Sequence, residues 1–199
     1  MLGNAAVAMW WDVAPEVRGE WEDWHSSEHM PERLAIPGFL RGTRWVALSG
    51  EPSYFVLYEV AGLATLTGGA YLDRLNNPSP WSRKMMPHHR NMVRSLCVLR
   101  EGWGGGVAHA LATIRFSPAS GPTRLPRVKG LTGAHVLQAQ PMAGMAQTAE
   151  QKIRGGDASA DGVMLIGGYD VEAVTKSAMA EGIVGVYRPA YSLSAGEIA

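Results

Sequence analysis

The sequence predicts an α+β protein made of two ferredoxin-like β-α-β-β-α-β units, whose antiparallel sheets pack together as a pseudo-dimeric α/β barrel. Apolar and helical segments follow the order β-α-β-β-α-β over the first hundred residues. Three consecutive glycines at residues 104–106 indicate a junction, and the second half repeats the element order in shortened form. We therefore expect a first unit over residues 1–101 and a second, degenerate unit over residues 107–199.

Periodicity and turn residues place the elements of the first unit. Pro15 and Glu16 suit the first turn of a helix. Pro31 removes a backbone donor, so we expect that helix to kink near Met30. The predicted elements are a strand at residues 5–11, a helix at 15–35, a hairpin of strands at 39–48 and 54–60, a helix at 63–75, a short helical turn at 81–86 and a strand at 91–100.

The second unit lacks a long first helix, because residues 118–126 contain three prolines. Two four-stranded sheets would each keep one open apolar face. Packing those faces together buries them, and pairing of the sheet edges closes a barrel. The predicted elements are strands at residues 107–116, 134–139, 163–169 and 183–191, a helix at 171–180, and a connector at 141–156 that is helical over 146–153.

Charge and composition exclude several classes of partner. The chain has 18 Lys and Arg residues against 18 Asp and Glu residues, so no basic surface for nucleic acid is expected. The apolar run at the N-terminus is too short to span a bilayer and lacks the basic start of a signal peptide. A single cysteine, Cys97, excludes an internal disulfide framework. We therefore expect a cytoplasmic protein with neither a nucleic-acid nor a membrane partner.

The stretch of residues 21–38 combines aromatic and titratable side chains as no other window does. His25 and His29 are four residues apart and His25 and Glu28 are three apart, so a helix places all three on one face. Imidazoles titrate near neutrality, and a carboxylate can fix their tautomer and raise their pKa. We predict His29 or His25 as a general acid/base that Glu28 orients. The alternative is a helix segment whose polar side chains are merely solvated.

Aromatic residues are concentrated in the same half, which holds six of the seven tryptophans. Aromatic rings give an apolar cavity its shape and a polar handle. An arginine beside them could bind a carboxylate or a phenolate. Ordinary core packing is the other interpretation of these side chains. The predicted substrate-binding residues are Trp10, Trp24, Trp45, Tyr54, Tyr58 and Arg44.

Three short segments resemble the dimeric α/β-barrel superfamily, in particular the branch related to EthD and to monooxygenase-like proteins. They are WHSSEHMPERL at residues 24–34, IPGF at 36–39 and RW at 44–45. The resemblance covers about residues 5–101 and implies a tandem fusion of two units. It also implies a small cavity between the sheet and the helices of a unit, where His29 matches the recurrent histidine of the first helix and His25 is additional.

The resemblance implies where a site would lie rather than which reaction it performs, because family members include cofactor-independent oxygenases, isomerases, cyclases, dehydratases and haem-binding enzymes. We predict an enzyme without a cofactor that uses a histidine general acid/base on a small, partly apolar or aromatic metabolite, as an isomerase, cyclase, lyase or oxygenase. A homodimer is compatible with the tandem. Alternatives are a non-catalytic binding or assembly protein, and a metal- or haem-dependent enzyme whose further ligand comes from Glu28, His88 or His89.

Overall fold

A computed structural model describes residues 1–50, 52–117, 119, 121–122, 124–141, 146–179 and 183–198, with the backbone alone at 183–184. Its strands close into an antiparallel barrel, so the predicted α+β class and barrel are confirmed. The strands are β1 (Ala5–Val13), β2 (Phe39–Ala47), β3 (Tyr54–Val60), β4 (His89–Gly104), β5 (Ala110–Phe116), β6 (Leu131–Ala139), β7 (Gly162–Gly168) and β8 (Ile183–Ser194).

Around the barrel the strands run β4-β1-β3-β2-β8-β5-β7-β6 and then return to β4. Each neighbouring pair is antiparallel. The first four strands lie in the order fourth, first, third, second, and the last four repeat that order. The two sets meet at the β2–β8 and β4–β6 pairs. Among the described strands no sheet edge is therefore left open.

Strand β1 shows why the sequence is apolar on both sides of the sheet. All nine of its residues are buried. Val7, Met9 and Trp11 pack under the helices, whereas Ala8 and Trp10 belong to the core inside the barrel. Because side chains alternate along a strand, each strand of the first half has one face in each core. Alternate residues of a strand therefore reach different cavities, one set under the helices and the other inside the barrel.

Helices cover the outside of the barrel, and none of the described ones is long and apolar enough to cross a membrane. The helices are α1 (Arg18–Trp24), α2 (Met30–Leu34), α3 (Leu63–Thr67), α4 (Gly69–Asn76), α5 (Pro80–Met85), α6 (Ala149–Arg154) and α7 (Val171–Ser177). Short 3-10 turns lie at Pro15–Val17, Met86–His88 and Ala195–Glu197, and a π-helical turn lies at His25–His29.

Two predicted helices differ from the observed ones. The helix predicted over residues 63–75 is split into α3 and α4 at Gly68, whose backbone is extended at φ −75° and ψ 154°. Glycine costs about 1 kcal/mol in a helix relative to alanine, so a break here is inexpensive. The predicted helix at 171–180 is α7, which ends at Ser177, and residue 180 lies outside the described residues.

The predicted connectors of the second half fall partly outside the described residues. Residues 118, 120, 123 and 142–145 are not described. The described residues between 117 and 130 contain no α-helix, in agreement with the three prolines. Helix α6 follows a capping box in which Thr148 accepts from the Gln151 backbone while the Gln151 side chain accepts from Thr148.

The first glycine of the segment expected to be a junction belongs to a strand, and the next two follow it. Strand β4 continues to Gly104 and its last residues pair with β6, whereas Gly105 and Gly106 lie outside the strands. A Cβ at Gly102 would lie 2.4 Å from the His135 ring, and Gly104 has φ +71°. Only glycine meets both requirements, so these residues let one strand pass from the first half of the barrel to the second.

Candidate functional site

A π-helical turn at His25–His29 joins α1 to α2 and carries two of the candidate catalytic residues. The backbone N–H of Met30 donates to the carbonyl of His25, five residues earlier. Pro31 has no N–H and its ring crowds the preceding turn, so the helix widens here. The predicted kink is thus a π turn that contains both histidines. Both imidazoles are buried, and π turns often occur at functional sites.

A third histidine, His89 at the start of β4, joins the pair from the opposite side. The indole Nε1 of Trp21 donates to His89 Nε2 over 2.8 Å. His25, His29 and His89 line one cavity of about 30 Å³, which has room for one or two water-sized molecules. The sequence proposed His89 only as a possible metal ligand. No local pattern shows that β4 begins beneath α1.

The walls of this histidine cavity come from both halves of the chain. Five apolar residues and six polar ones surround the imidazoles. The apolar residues are Met9, Trp11, Leu75, Met86 and Met92, and the polar ones are Arg33, Tyr58, Tyr71, Arg94, Glu150 and Arg154. Glu150 and Arg154 belong to α6, so the sequence-based assignment of the site to the first half alone omitted part of it.

A buried ion-pair network connects α2 to α6 beneath the cavity. Arg33 Nη2 pairs with Glu150 Oε1. Arg154 lies 3.7 Å from the second oxygen of Glu150 and 2.8 Å from Asp157 Oδ2. Carboxylates of this kind are needed because a buried guanidinium without compensation is strongly destabilising. The network holds Arg33 beside the histidines.

Five buried polar atoms around the cavity have no hydrogen-bond partner among the described residues: His29 Nδ1, His89 Nδ1, Arg33 Nη1, Tyr58 Oη and Trp11 Nε1. Their residues are only 8%, 9%, 3%, 2% and 2% exposed, in that order. Each buried unpaired polar atom costs about 1–3 kcal/mol. Five such atoms at one cavity indicate a place where a polar group binds.

Neighbouring donors assign the proton on two of the imidazoles. An indole N–H can only donate, so His89 Nε2 accepts from Trp21 and the His89 proton sits on Nδ1. A guanidinium also only donates, and Arg44 Nη1 lies 3.4 Å from His25 Nδ1, so the His25 proton sits on Nε2. His29 Nδ1 has no hydrogen-bond partner among the described residues, so no contact fixes the proton of this ring on one nitrogen.

The electrostatics keep all three imidazoles neutral. Burial lowers the pKa of His25 and of His29 well below the usual imidazole value, with further lowering by Arg44 at His25 and by Arg33 at His29. Burial likewise lowers the pKa of His89, and Arg154 adds to it. The sequence-based expectation of a carboxylate that raises the imidazole pKa differs from the structure, because burial lowers all three pKa values and neighbouring guanidinium groups lower them further.

Glu28 lies away from the imidazoles. Its Oε1 accepts from Trp24 Nε1 at 3.2 Å and from the Ser79 hydroxyl at 2.5 Å. Ser79 is the N-cap of α5, and it accepts from the Ser82 backbone. Glu28 therefore connects the start of α5 to α1 through these hydrogen bonds. Its observed contacts do not include a histidine, so they give no support to the predicted orienting role.

Trp24, Tyr54 and Arg44 form a layer behind the histidines rather than the cavity wall. The Trp24 ring lies 4.5 Å from that of His29, measured between centroids. Arg44 donates to the Glu22 carbonyl at 3.2 Å, and the Tyr54 hydroxyl donates to the Glu22 carboxylate at 2.7 Å. This layer supports His25 and fixes its orientation.

Two predicted substrate-binding tryptophans lie on the inner face of the barrel, away from the histidines. Trp10 belongs to the interior core and donates to Thr113 Oγ1 at 3.0 Å. Trp45 lines a separate cavity of about 50 Å³. Strand alternation separates them from Trp11 and Tyr58, which face the helices. Of the predicted binding residues, the structure places Tyr58 alone in the wall of the histidine cavity.

Metal and haem sites were tested against the same geometry. The described part of the chain contains no group of three or more His, Cys, Asp or Glu side chains placed to hold a metal ion. The histidine cavity, at about 30 Å³, has no room for a porphyrin ring. The residues around this cavity therefore do not fit a haem.

No family model and no curated relative matches the chain. An anthrone oxidase-like protein of known structure is similar to it, with a TM-score of 0.60 and 11% identity over 98% of this chain and 94% of the other.

Two further solved structures are similar to the chain. One, provisionally named a monooxygenase, comes from Lactobacillus acidophilus NCFM and has a TM-score of 0.53 and 8% identity, over 97% of each chain. The other, provisionally named a chlorite dismutase, has a TM-score of 0.52 and 10% identity, over 99% of this chain and 98% of that one. Such low identity shows the fold alone. The predicted resemblance to the dimeric α/β barrels is confirmed at that level.

Proposed function

We propose that this protein is a small-molecule enzyme that removes a proton from an oxygen-bearing, partly aromatic metabolite, with His29 as general base. The observation that carries the proposal is the set of five unpartnered polar atoms around one cavity. His89 Nδ1–H, the Tyr58 hydroxyl, Arg33 Nη1 and Trp11 Nε1–H are donors, and His29 Nδ1 is the proposed acceptor. Such a set suits removal of a proton and stabilisation of the resulting oxyanion.

The first step follows from the protonation states. Neutral His29 takes a proton from a C–H or O–H next to the ring, and the negative charge moves to the substrate oxygen. The donors then hold that oxygen in a water-poor site, where removal of one oxyanion donor typically costs about 10²–10³ in kcat. His25, held by Arg44, keeps its Nε2–H and supports the wall without competing for the proton.

We further propose that the anion reacts with dioxygen without a cofactor. Similar folds carry the names anthrone oxidase-like protein and monooxygenase, and a cavity of about 30 Å³ admits a molecule of that size. The carbanion adds to dioxygen, the peroxide anion recovers the proton from His29, and loss of water leaves a carbonyl. A methylene and dioxygen thus become a ketone and water. An isomerase, cyclase or lyase would share only the first step.

We also infer that the barrel is a tandem of ferredoxin-like units, at residues 1–101 and 107–199. The repeated strand order, fourth, first, third and second in each half, supports this inference. The proposed site then belongs to the first unit, completed by Glu150 and Arg154 of the second. A homodimer of such tandems stays a prediction, which light scattering would test.

The function is tested by oxygen uptake and product mass spectrometry with anthrone and with one-ring hydroquinones. His29→Gln removes the base, and we expect the rate to fall about 10²–10⁴-fold. His109→Gln is the control, since His109 is exposed in the other half of the chain. An undiminished rate in His29→Gln would contradict the proposal. Deuterium incorporation from D₂O without oxygen uptake would support an isomerase instead.

A further inference from the structure

A second cavity, here called the outer chamber, adjoins the histidine cavity on its helix side. Its volume is about 140 Å³. It shares Tyr71, Leu75 and Arg94 with the histidine cavity. The remaining apolar wall is Leu66, Leu72, Leu96 and Ala146, and the exposed Gln147 is among the polar residues that complete the lining. The two cavities therefore share a wall of side chains.

The partition between the two spaces is made of side chains. Arg94 Nη2 donates to the Tyr71 hydroxyl over 2.7 Å, and the Arg94 guanidinium lies 6.0 Å from the centre of the Tyr71 ring. Side chains change rotamer far more readily than backbone moves. A ligand in the outer chamber can therefore pass a polar atom beyond Tyr71 without disturbing the barrel.

The size of the outer chamber limits its ligand. An apolar cavity of about 150 Å³ lined by aliphatic side chains binds benzene. The outer chamber, at about 140 Å³, has the volume for one six-membered ring, and its wall combines four leucines with polar residues that include Arg94, Thr148 and Gln151. Three fused rings, as in anthrone, exceed it.

The charged residues of the histidine cavity determine which polar group the ligand can carry. Among the described residues, Arg33, Arg94 and Arg154 face the cavity against Glu150, while Asp157 pairs with Arg154. Positive charge is in excess, and Arg33 keeps an unpaired Nη1. Donors and positive charge together favour an oxygen that bears or develops negative charge.

We propose that the outer chamber binds the ring of a single-ring phenol or enolisable cyclic ketone, whose oxygen reaches past Tyr71 to the donors of Arg33, Tyr58 and His89. This inference rests on the proposed function for its reaction, but the binding it describes is independent of turnover. It assigns a substrate with one ring, in contrast to the anthrone named for a protein of similar fold.

The test is calorimetric binding of phenol, toluene and anthrone to the full chain. We expect saturable binding of phenol, weaker binding of toluene and no binding of anthrone. Leu72→Trp fills the outer chamber and should weaken phenol binding about tenfold or more. Leu48→Trp adds the same ring at a residue that is 45% exposed and should change binding less than about twofold. Tyr58→Phe should remove the advantage of phenol over toluene.

If Leu72→Trp does not fold, Leu72→Phe replaces it in the test. This smaller change should weaken phenol binding by an amount between those of the wild type and Leu72→Trp. The inference is overturned if the wild type shows no saturable phenol binding, or if Leu72→Trp binds phenol as Leu48→Trp does. Phenol binding as expected without turnover of any substrate would refute the proposed function alone. His29-dependent turnover with a KM unchanged in both Leu72 variants would refute this inference alone.

Discussion

At the scale of single residues, the three histidines are distinguished by their neighbours rather than by their own chemistry. His89 receives a hydrogen bond from Trp21, 68 residues away in sequence, and His25 receives one from Arg44, 19 residues away. His29 Nδ1, the proposed base, has no such contact among the described residues. The sequence could propose His25 and His29 from their spacing, but it could not choose between them from residues alone, because the deciding donors are distant along the chain.

The hydrogen bond from Trp21 can be removed without removing its ring. In Trp21→Phe, His89 Nε2 loses its donor and the Nδ1–H tautomer is no longer fixed. We expect kcat to fall about 10–100-fold, while the free energy of unfolding falls by about 1 kcal/mol. Imidazole nitrogen NMR would report the tautomer, and steady-state kinetics the rate.

The control for that variant is Trp81→Phe, which removes an indole hydrogen bond to Glu20 on the surface. Its kinetics should match the wild type. Equal kcat values for Trp21→Phe and Trp81→Phe would show that the His89 tautomer has no bearing on the reaction.

At the scale of elements, the strands were predictable and the helices less so. Each strand has the apolar, β-rich composition that favours pairing, so each was located from the sequence. The helix breaks depend on context: Gly68 ends one helix, and Pro31 widens another into a π turn. The sequence located the Pro31 irregularity but not its form, because the choice between a kink and a π turn depends on packing.

The π turn itself can be tested with Pro31→Ala. The restored N–H at position 31 can donate to the Ser27 carbonyl, which favours a regular α-helix and rotates His25 and His29 away from the cavity. We expect at least about a tenfold loss of kcat/KM with no loss of stability, or a gain of about 1 kcal/mol. Urea unfolding and kinetics measure the two effects.

Pro15→Ala is the matched control for the π turn, since Pro15 begins the 3-10 turn that precedes α1 and lies outside the histidine segment. It should keep full activity. A fully active Pro31→Ala would show that the site tolerates a regular helix.

At the scale of the whole molecule, three neutral buried imidazoles should make stability depend on pH. Their folded pKa values lie well below the usual value of 6.5. Below pH 6.5 the unfolded chain therefore binds protons that the folded chain does not, and stability falls as the pH falls. Burial also lowers the pKa of His135, to about 4, and the N-terminal ammonium adds to this lowering. With these four groups the slope reaches up to about 5 kcal/mol per pH unit.

Urea unfolding at pH 7.5, 6.5 and 5.5 measures this slope. His89→Gln should reduce the slope by about a quarter, whereas His109→Gln, at an exposed residue, should leave it unchanged. A flat stability profile between pH 7.5 and 5.5 would show that the imidazoles are not held neutral in the folded chain.

The barrel was predictable from the sequence because the two halves share one element order, and because strands apolar on both faces need burial on both sides. The part of the site that comes from the second half of the chain could not be predicted in this way. Arg33 meets Glu150 across 117 residues, and the second half offers no motif that links α6 to the first. Only the closed barrel brings α6 against α4 and the 3-10 turn at Met86–His88.

The β2–β8 and β4–β6 pairs have one more consequence. In a barrel built from separate subunits, strand pairs of this kind dissociate on dilution by mass action. Here both strand pairs join segments of a single chain. The effective concentration of one half for the other is therefore high and independent of the amount of protein in solution. The catalytic pocket should accordingly survive at nanomolar enzyme, with a specific activity that does not change as the protein is diluted.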